Sequence, residues 1–406
     1  MSEAPSHPDW RGLSAPERRV AVEVLIHGPE HRSALAQRLG LSPTSLTRLT
    51  KPLLAQGFLE ELKAAPTSRR SRGRPTEPID VLPDPYRFVG VKLTGDHAYA
   101  VLTNLRAEIL KQSDRPLPET EPHAVVDVVA ALVDEVRDGA SITAVGVAAS
   151  GRIVDGTRIP YSEFLDWHDV DLGRLVREAT SLPTVIVNDV GACTAREAWF
   201  GAGRESPSFA LVTIGAGIGY GLVVGGEPIF DEDTGITLVG HMVLDNTGPL
   251  CPLGHHGCAA AMLTSVGIVS TVSAALGRPV GYEECLQLAE QDDPVARHVV
   301  LASARALGRL LSTISNVAMV HNIQVTGDGV GLADRYWQEV RTELDRNRDP
   351  HAHRVEVDIR HTSFYDWAEG AAAAAIQLYA LGRIDTATTS ARPIAKELWS
   401  LGDSNS

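Results

Sequence analysis

The chain has 406 residues, 44% hydrophobic and 22% charged, too long for one core, since single cores stop growing near ~250–300 residues, and too apolar to be disordered. No apolar run reaches the ~18 residues of a membrane span. The opening MSEAPSHPDWRG lacks the basic start and apolar stretch of a signal peptide, so a cytoplasmic protein without a membrane partner is expected.

Cys193, Cys251, Cys258 and Cys285 are too few to staple so long a chain, and are expected as free thiols or metal ligands rather than disulfides. The formal net charge of −14 opposes binding to nucleic acid by the chain as a whole. Its distribution does not. Residues 1–75 hold 12 Lys and Arg against 7 Asp and Glu, a net of +5, while the remainder holds 25 against 44, a net of −19. One small segment is therefore suited to phosphates and the rest repels them.

Pro16 opens a first helix carrying Val20, Val24 and Leu25, stopped by Gly28 and Pro29. A second, from Arg32 to Leu39, ends on Gly40, a residue that tolerates the left-handed turn between helices. Ser42 then caps and Pro43 starts a third, running to about Gln56, with Leu46, Leu49, Leu53 and Leu54 expected as its buried stripe. Its other face offers Thr44, Ser45, Thr47, Arg48 and Lys51, short hydroxyls and cations able to reach base edges and phosphates in a major groove. FLEEL and Ile79–Leu82 read as two strands of a hairpin whose tip holds Arg69, Arg70, Arg72, Gly73 and Arg74. Such a tip suits a narrow minor groove or a phosphate track, or is a solvated basic linker. Together the segment predicts a winged helix-turn-helix over 1–82 with double-stranded DNA as its partner.

From Tyr86 the pattern becomes short apolar runs separated by helical stretches: Phe88–Leu93, Ala98–Leu102, Ala144–Ala148, Val185–Val187, Phe209–Ile214 and Ile323–Thr326. Alternating strands and helices predict an α/β body of two lobes over 83–390, with 391–406 as a tail, and hence an α+β multidomain chain. The Ala-rich segment SFYDWAEGAAAAAIQLYALG is expected to close the first lobe.

Four segments carry a resemblance: VIVNDVGACTAREAWFG at 185–201, TIGAGIGYGLVVGG at 213–226, GHMVLDNTGPLCPLGHHGC at 240–258 and QVTGDGVGLAD at 324–334. Over about residues 86–380 the chain resembles the ROK family of repressors, open reading frames and sugar kinases, in its regulator branch. The resemblance implies an actin-like ATPase fold, a small-molecule effector that is a sugar or sugar derivative, and a homodimer or homotetramer.

Where ROK kinases have an Asp-x-Gly-Gly-Thr phosphate loop, this chain reads Lys92-Leu93-Thr94-Gly95-Asp96. A phosphate cradle needs glycines so that N–H groups can approach the anion, and the Asp96 carboxylate repels it. No ATP and no catalytic residue are therefore expected. The second Gly-rich loop, Gly215–Gly221, is largely kept, although it equally suits a strand-to-strand turn.

Asn188 and Asp189 match the family pair that bonds sugar hydroxyls, and the same two residues suit a turn capping the following helix. His241 and Glu163 join them as candidate ligand-binding residues. Leu238 and Ala260 stand where the family has sugar-binding carboxylates, so an unmodified hexose is expected to bind poorly. His241, Cys251 and Cys258 fall at the spacing of the family's structural zinc, with Leu253 in place of its middle cysteine. His255 and His256 are the candidates for a fourth ligand and His256, beside the Gly257-Cys258 turn, is preferred; the other reading is a loop that folds without metal. The expected function is a DNA-binding regulator, a repressor of carbohydrate or related metabolic genes, the alternatives being a sugar kinase with an accessory DNA-binding domain and a regulator independent of any ligand.

Overall fold

The computed structural model describes residues 7–62, 77–230, 233–236 and 238–384. The expected arginine tip, Arg69, Arg70, Arg72, Gly73 and Arg74, and the expected tail 391–406 lie outside the described residues. The chain divides into two compact units, one formed by the residues up to Arg204 with those from Phe364 onward, the other by Glu205–Ser363.

The first unit begins with α1 (Ala15–His27), opened by a capping box in which Ser14 N donates to Glu17 at 3.1 Å. It continues with α2 (Arg32–Leu39), which stops at Gly40 with φ 66. In α3 (Pro43–Ala55) the buried residues are Leu46, Thr50 and Leu53, spaced i, i+4, i+7. The expected stripe is thus corrected: Leu49 and Leu54 are only half-buried because they flank that line, and Thr50 takes the central place. Two short strands, β1 (Leu59–Glu61) and β2 (Ile79–Val81), pair antiparallel with Leu59 opposite Val81. Three helices and a ribbon in this order are the elements of a winged helix-turn-helix.

This head is bonded to the body of its own unit. Trp10 is fully buried, its indole N–H donating to the Tyr86 hydroxyl at 3.1 Å and its backbone N–H to the Tyr379 hydroxyl at 3.3 Å. Arg18 donates to Ala380 O at 2.9 Å, and Arg106 donates to Gly28 O at 3.1 Å while pairing with Asp80.

The body follows as β3 (Phe88–Leu93), β4 (His97–Thr103), β5 (Ile109–Pro116), α4 (Pro122–Arg137), β6 (Ala144–Ala149), β7 (Arg152–Val154), β8 (Arg158–Ser162), β9 (Trp167–Val170), α5 (Leu172–Thr180), β10 (Thr184–Asn188) and α6 (Asp189–Trp199). Its sheet has the order β10-β6-β3-β4-β5, with β4 antiparallel to both neighbours and β3, β6 and β10 parallel. The strands β7, β8 and β9 form a separate antiparallel sheet. Alternation along β3 sends Val89, Val91 and Leu93 into a core shared with Val125, Val129 and Val133 of α4. Gly90 and Lys92 consequently face the opposite side.

The second unit contains β11 (Phe209–Ile214), β12 (Ile218–Val224), β13 (Glu227–Pro228), α7 (Ala259–Leu263), α8 (Ser265–Leu276), α9 (Tyr282–Glu290), α10 (Pro294–Ala318), β14 (Asn322–Thr326), α11 (Gly331–Arg335), α12 (Trp337–Arg346) and β15 (Glu356–Ile359). Its sheet order is β13-β12-β11-β14-β15, again a central strand with antiparallel neighbours on one side and parallel ones on the other. The same plan is thus used twice. The chain then returns to the first unit as α13 (Phe364–Ala380), whose alanines have a physical reason. A Cβ on Gly90 would lie 1.9 Å from Ala368 O and one on Gly146 1.9 Å from Ala371 O, so helix and sheet meet backbone to backbone and only small side chains fit. Among the described residues no helix is long and apolar enough to cross a membrane.

Candidate functional site

In the head, Thr44, Thr47, Arg48 and Lys51 are exposed and spaced i, i+3, i+4, i+7 on α3, opposite its buried line. Ser42 holds the cap: its hydroxyl accepts from Ser45 N at 3.1 Å and donates to Ser45 Oγ at 2.9 Å, while Ser45 is half-buried. The Thr47 hydroxyl donates to Pro43 O at 2.8 Å and retains its acceptor capacity. The exposed stripe therefore offers two hydroxyls and two cations running from the helix N-terminus toward its middle, an arrangement suited to anions and groove edges.

In the first unit, Asn188 ends β10 and caps α6, its side-chain oxygen accepting from Gly191 N at 3.0 Å. Its amide nitrogen donates to Gly151 O at 3.2 Å and to Asp189 Oδ1 at 3.3 Å. Asp189 Oδ1 also accepts from Val190 N at 2.9 Å. Its Oδ2 pairs with Lys92 Nζ, which lies 5.3 Å from the centre of the Trp367 ring on α13.

Lys92 joins the site through this pair, although along the sequence it stands only where the phosphate loop of the kinases has an aspartate. The available signal was a lysine in the otherwise apolar strand FVGVKL, since a buried ammonium demands a counter-ion. Register supplies it: Lys92 is opposite Ala148, and Ala148 is opposite Val187, one residue before Asn188.

Downstream of Lys92 the chain makes a tight turn in which Thr94 Oγ1 donates to Asp96 Oδ1 at 2.9 Å and accepts from His97 N at 3.0 Å. The Asp96 carboxylate is exposed, where a phosphate cradle would present N–H groups. Glu163 is exposed on the turn between β8 and β9, and among the described residues no hydrogen bond joins it to Asn188 or Asp189. The neighbouring Ser162 hydroxyl is 3.1 Å from that of Ser150.

His241 belongs to the second unit, where it meets cysteines. Its Nδ1 is 4.0 Å from both Cys251 Sγ and Cys258 Sγ, and His255 Nδ1 is 3.6 Å from Cys251 Sγ. The four potential ligand atoms all lie within 4.8 Å of one another. A tetrahedral zinc with Zn–S near ~2.3 Å and Zn–N near ~2.0–2.1 Å has ligand edges of roughly 3.3–3.8 Å, so the group fits with small adjustments.

The preference for His256 is corrected to His255. Backbone bonds from Cys251 N to His255 O at 2.9 Å and from Gly254 N to Cys251 O at 2.9 Å fold the loop so that the His255 ring meets the Cys251 thiol. His256 bridges backbone to backbone with Leu250, and the next side chain along an extended segment points the other way. Gly257, at φ 55, is required here because a Cβ would meet Asp245 O at 1.6 Å. Burial opposes ionisation of Cys251, but backbone bonds at His255 and Leu253, the neighbouring Cys258 thiol and Gly254 outweigh it and hold the Cys251 thiol below its ordinary range, while Cys258 is raised. A stabilised thiolate is what a metal takes. Leu253 is exposed and offers no donor, whereas His255 lies within the group of potential ligands.

The second Gly-rich segment is the hairpin turn between β11 and β12, with Ile214 opposite Ile218. A Cβ on Gly215 would meet Asp328 Oδ1 at 1.6 Å, so a carboxylate lies against the turn. Tyr220, half-buried, packs on the core of its unit.

Residues 88–378 match the ROK family profile. The DNA-binding transcriptional repressor Mlc of Escherichia coli is 22% identical over 369 residues, covering 86% of this chain and 89% of its own length. That share exceeds what residues 88–406 could supply, so the likeness extends into the head. An N-acetylmannosamine kinase of Escherichia fergusonii is 28% identical over 282 residues, 67% of this chain and 92% of the kinase. Among solved structures, a ROK family transcriptional regulator described as a homolog of the E. coli MLC protein superposes with a TM-score of 0.74 at 21% identity, covering 91% of this chain and 98% of that one.

Proposed function

We propose, from the premise that the chain belongs to the ROK family, that it is a cytoplasmic DNA-binding transcriptional regulator with a sugar-like effector, acting as a homodimer or homotetramer. The observation that carries this reading is the exposed Thr44, Thr47, Arg48 and Lys51 stripe on the third helix of a head that the Mlc alignment spans in part and that the shorter kinase alignment has no need of. Residues 1–82 would serve as the DNA-binding domain and 83–390 as the sensor. In this reading Arg48 and Lys51 neutralise phosphates, Thr44 and Thr47 approach base edges, and Ser42 keeps the helix N-terminus ordered. Arg70, Arg72, Gly73 and Arg74 would add minor-groove or phosphate contacts.

Kinase activity is the competing reading, supported by the likeness to the N-acetylmannosamine kinase. Three features argue against phosphoryl transfer: Lys92 occupies Asp189, the Thr94–Asp96 turn replaces a phosphate cradle, and Asp328 places a negative charge on the Gly215 turn. His241, Cys251, His255 and Cys258 would hold a structural zinc, which when bound ties together the loop between the 3-10 turn Leu238–His241 and α7.

The test is retardation of DNA fragments upstream of the chain's own locus by the full-length protein across a salt series. Specific binding that weakens steeply with salt is expected, with Arg48→Ala and Lys51→Ala each lowering the salt slope by about 1. Absence of any specific fragment, together with ATP-dependent phosphorylation of a hexose that Asp189→Asn abolishes, overturns the reading in favour of the kinase.

A further inference from the structure

Three elements converge on one buried charge. Lys92 comes from β3, Asp189 from the first turn of α6 and Trp367 from α13. The Lys92 and Asp189 side chains retain only 7% and 14% of their exposure, so both have been largely taken out of water and each depends on the other.

The polar atoms of the Asn188–Asp189 pair can be accounted for one by one. Asn188 Oδ1 accepts from Gly191 N, and its Nδ2 donates to Gly151 O. Asp189 Oδ1 accepts from Val190 N and Asn188 Nδ2, and Oδ2 from Lys92. Asp189 Oδ2 keeps a second lone pair, but the Lys92 ammonium fills the space beside it, and a polyol hydroxyl seated in that place would exchange a charge-assisted bond for a neutral one of about half its strength. It would also leave the Lys92 ammonium beneath Trp367 without its carboxylate, the costlier part of the exchange.

We infer that Lys92 is a specificity-determining residue, an internal counter-ion that keeps neutral polyols off the Asn188–Asp189 subsite. The inference rests on the proposed effector role of that subsite and narrows it: an uncharged hexose is not the effector while Lys92 is in place. Lys92 acts here by occupying an acceptor rather than by touching the ligand.

Calorimetric titration of the full-length protein, Lys92→Ala and the double variant Lys92→Ala with Asp189→Asn against glucose and N-acetylmannosamine tests this. The parent protein is expected to give no binding at millimolar sugar. Lys92→Ala is expected to bind at least one of the two sugars roughly tenfold or more tightly than the parent, and the double variant to lose that gain. Equal affinity in parent and Lys92→Ala overturns the inference, as does a folded Lys92→Ala that still binds neither sugar. Should Lys92→Ala fail to fold, Lys92→Met, which keeps the bulk of the stem without a donor toward Asp189, is judged by the same criteria. DNA retardation by the same proteins separates the two readings: a parent that binds no DNA condemns the regulator, whereas a variant that gains no sugar condemns only the role of Lys92.

Discussion

The two units share a strand plan yet settle their polar clusters in opposite ways. In the first, Lys92 and Asp189 neutralise each other and neighbouring backbone groups satisfy the remaining atoms. In the second, two imidazoles and two thiols converge at 3.6–4.0 Å with no positive centre of their own. A buried charge balanced within the chain is finished structure, whereas converging lone pairs ask for an ion from outside.

The largest expected effect tests the second half of that contrast. Cys258→Ala should reduce bound zinc from about one equivalent to none and cost roughly 4–5 kcal/mol, with the faster hydrogen exchange confined to the second unit. Full metal content in this variant, measured by atomic emission, would break the contrast. Next comes Lys92→Met, expected to cost about 3–5 kcal/mol in denaturant unfolding because Asp189 is left buried without a partner. Adding Asp189→Leu should recover much of the loss, and a single-variant cost below about 1 kcal/mol would mean the pair is not a buried one.

A smaller effect tests how tightly the first unit is closed. Gly146→Ala drives a Cβ to 1.9 Å from Ala371 O, a backbone atom, and should cost about 1–3 kcal/mol. The smallest effect concerns acid. Arg309 donates to Leu244 O at 2.8 Å and to Glu343 at 2.9 Å, tying the metal-site loop to α12. Hydrogen bonds from Thr247, with help from Arg309, hold Asp245 below its ordinary range. Burial opposes ionisation of Glu343, but bonds from Arg309 and Asn347 prevail and lower it too. Both carboxylates therefore add stability above the unfolded carboxyl range, near pH ~4, and that stability is lost as pH falls through their lower folded values. Arg309→Met should be less stable than the parent above that range and lose less on acidification, so that the two profiles converge at low pH; a difference that stays constant down to low pH would remove this strut from the comparison.

Much of the framework was legible because it is local. Arg32–Leu39, Phe88–Leu93 and Phe209–Ile214 have the bounds read from periodicity and stop residues. The strand β5 escaped notice because it is an edge with a mostly exposed, polar sequence, ILKQSDRP, and the short β7–β9 sheet carries little apolar alternation. The buried line of α3 was drawn too widely, since Leu49 and Leu54 are as apolar as Leu53 and only the packing distinguishes them.

By itself, then, the sequence determined the three helices of the head and its basic charge, the strands Phe88–Leu93 and Phe209–Ile214, the ROK resemblance and most of the candidate residues, all of which depend on spacing along the chain. Tertiary structure alone decided which of two adjacent histidines faces Cys251, and that Lys92 meets Asp189 across three strands of a sheet. The physical reason is common to both. Pairing and side-chain direction alternate with single-residue register, and register between distant strands or around a folded loop is set by contacts that residue spacing does not contain.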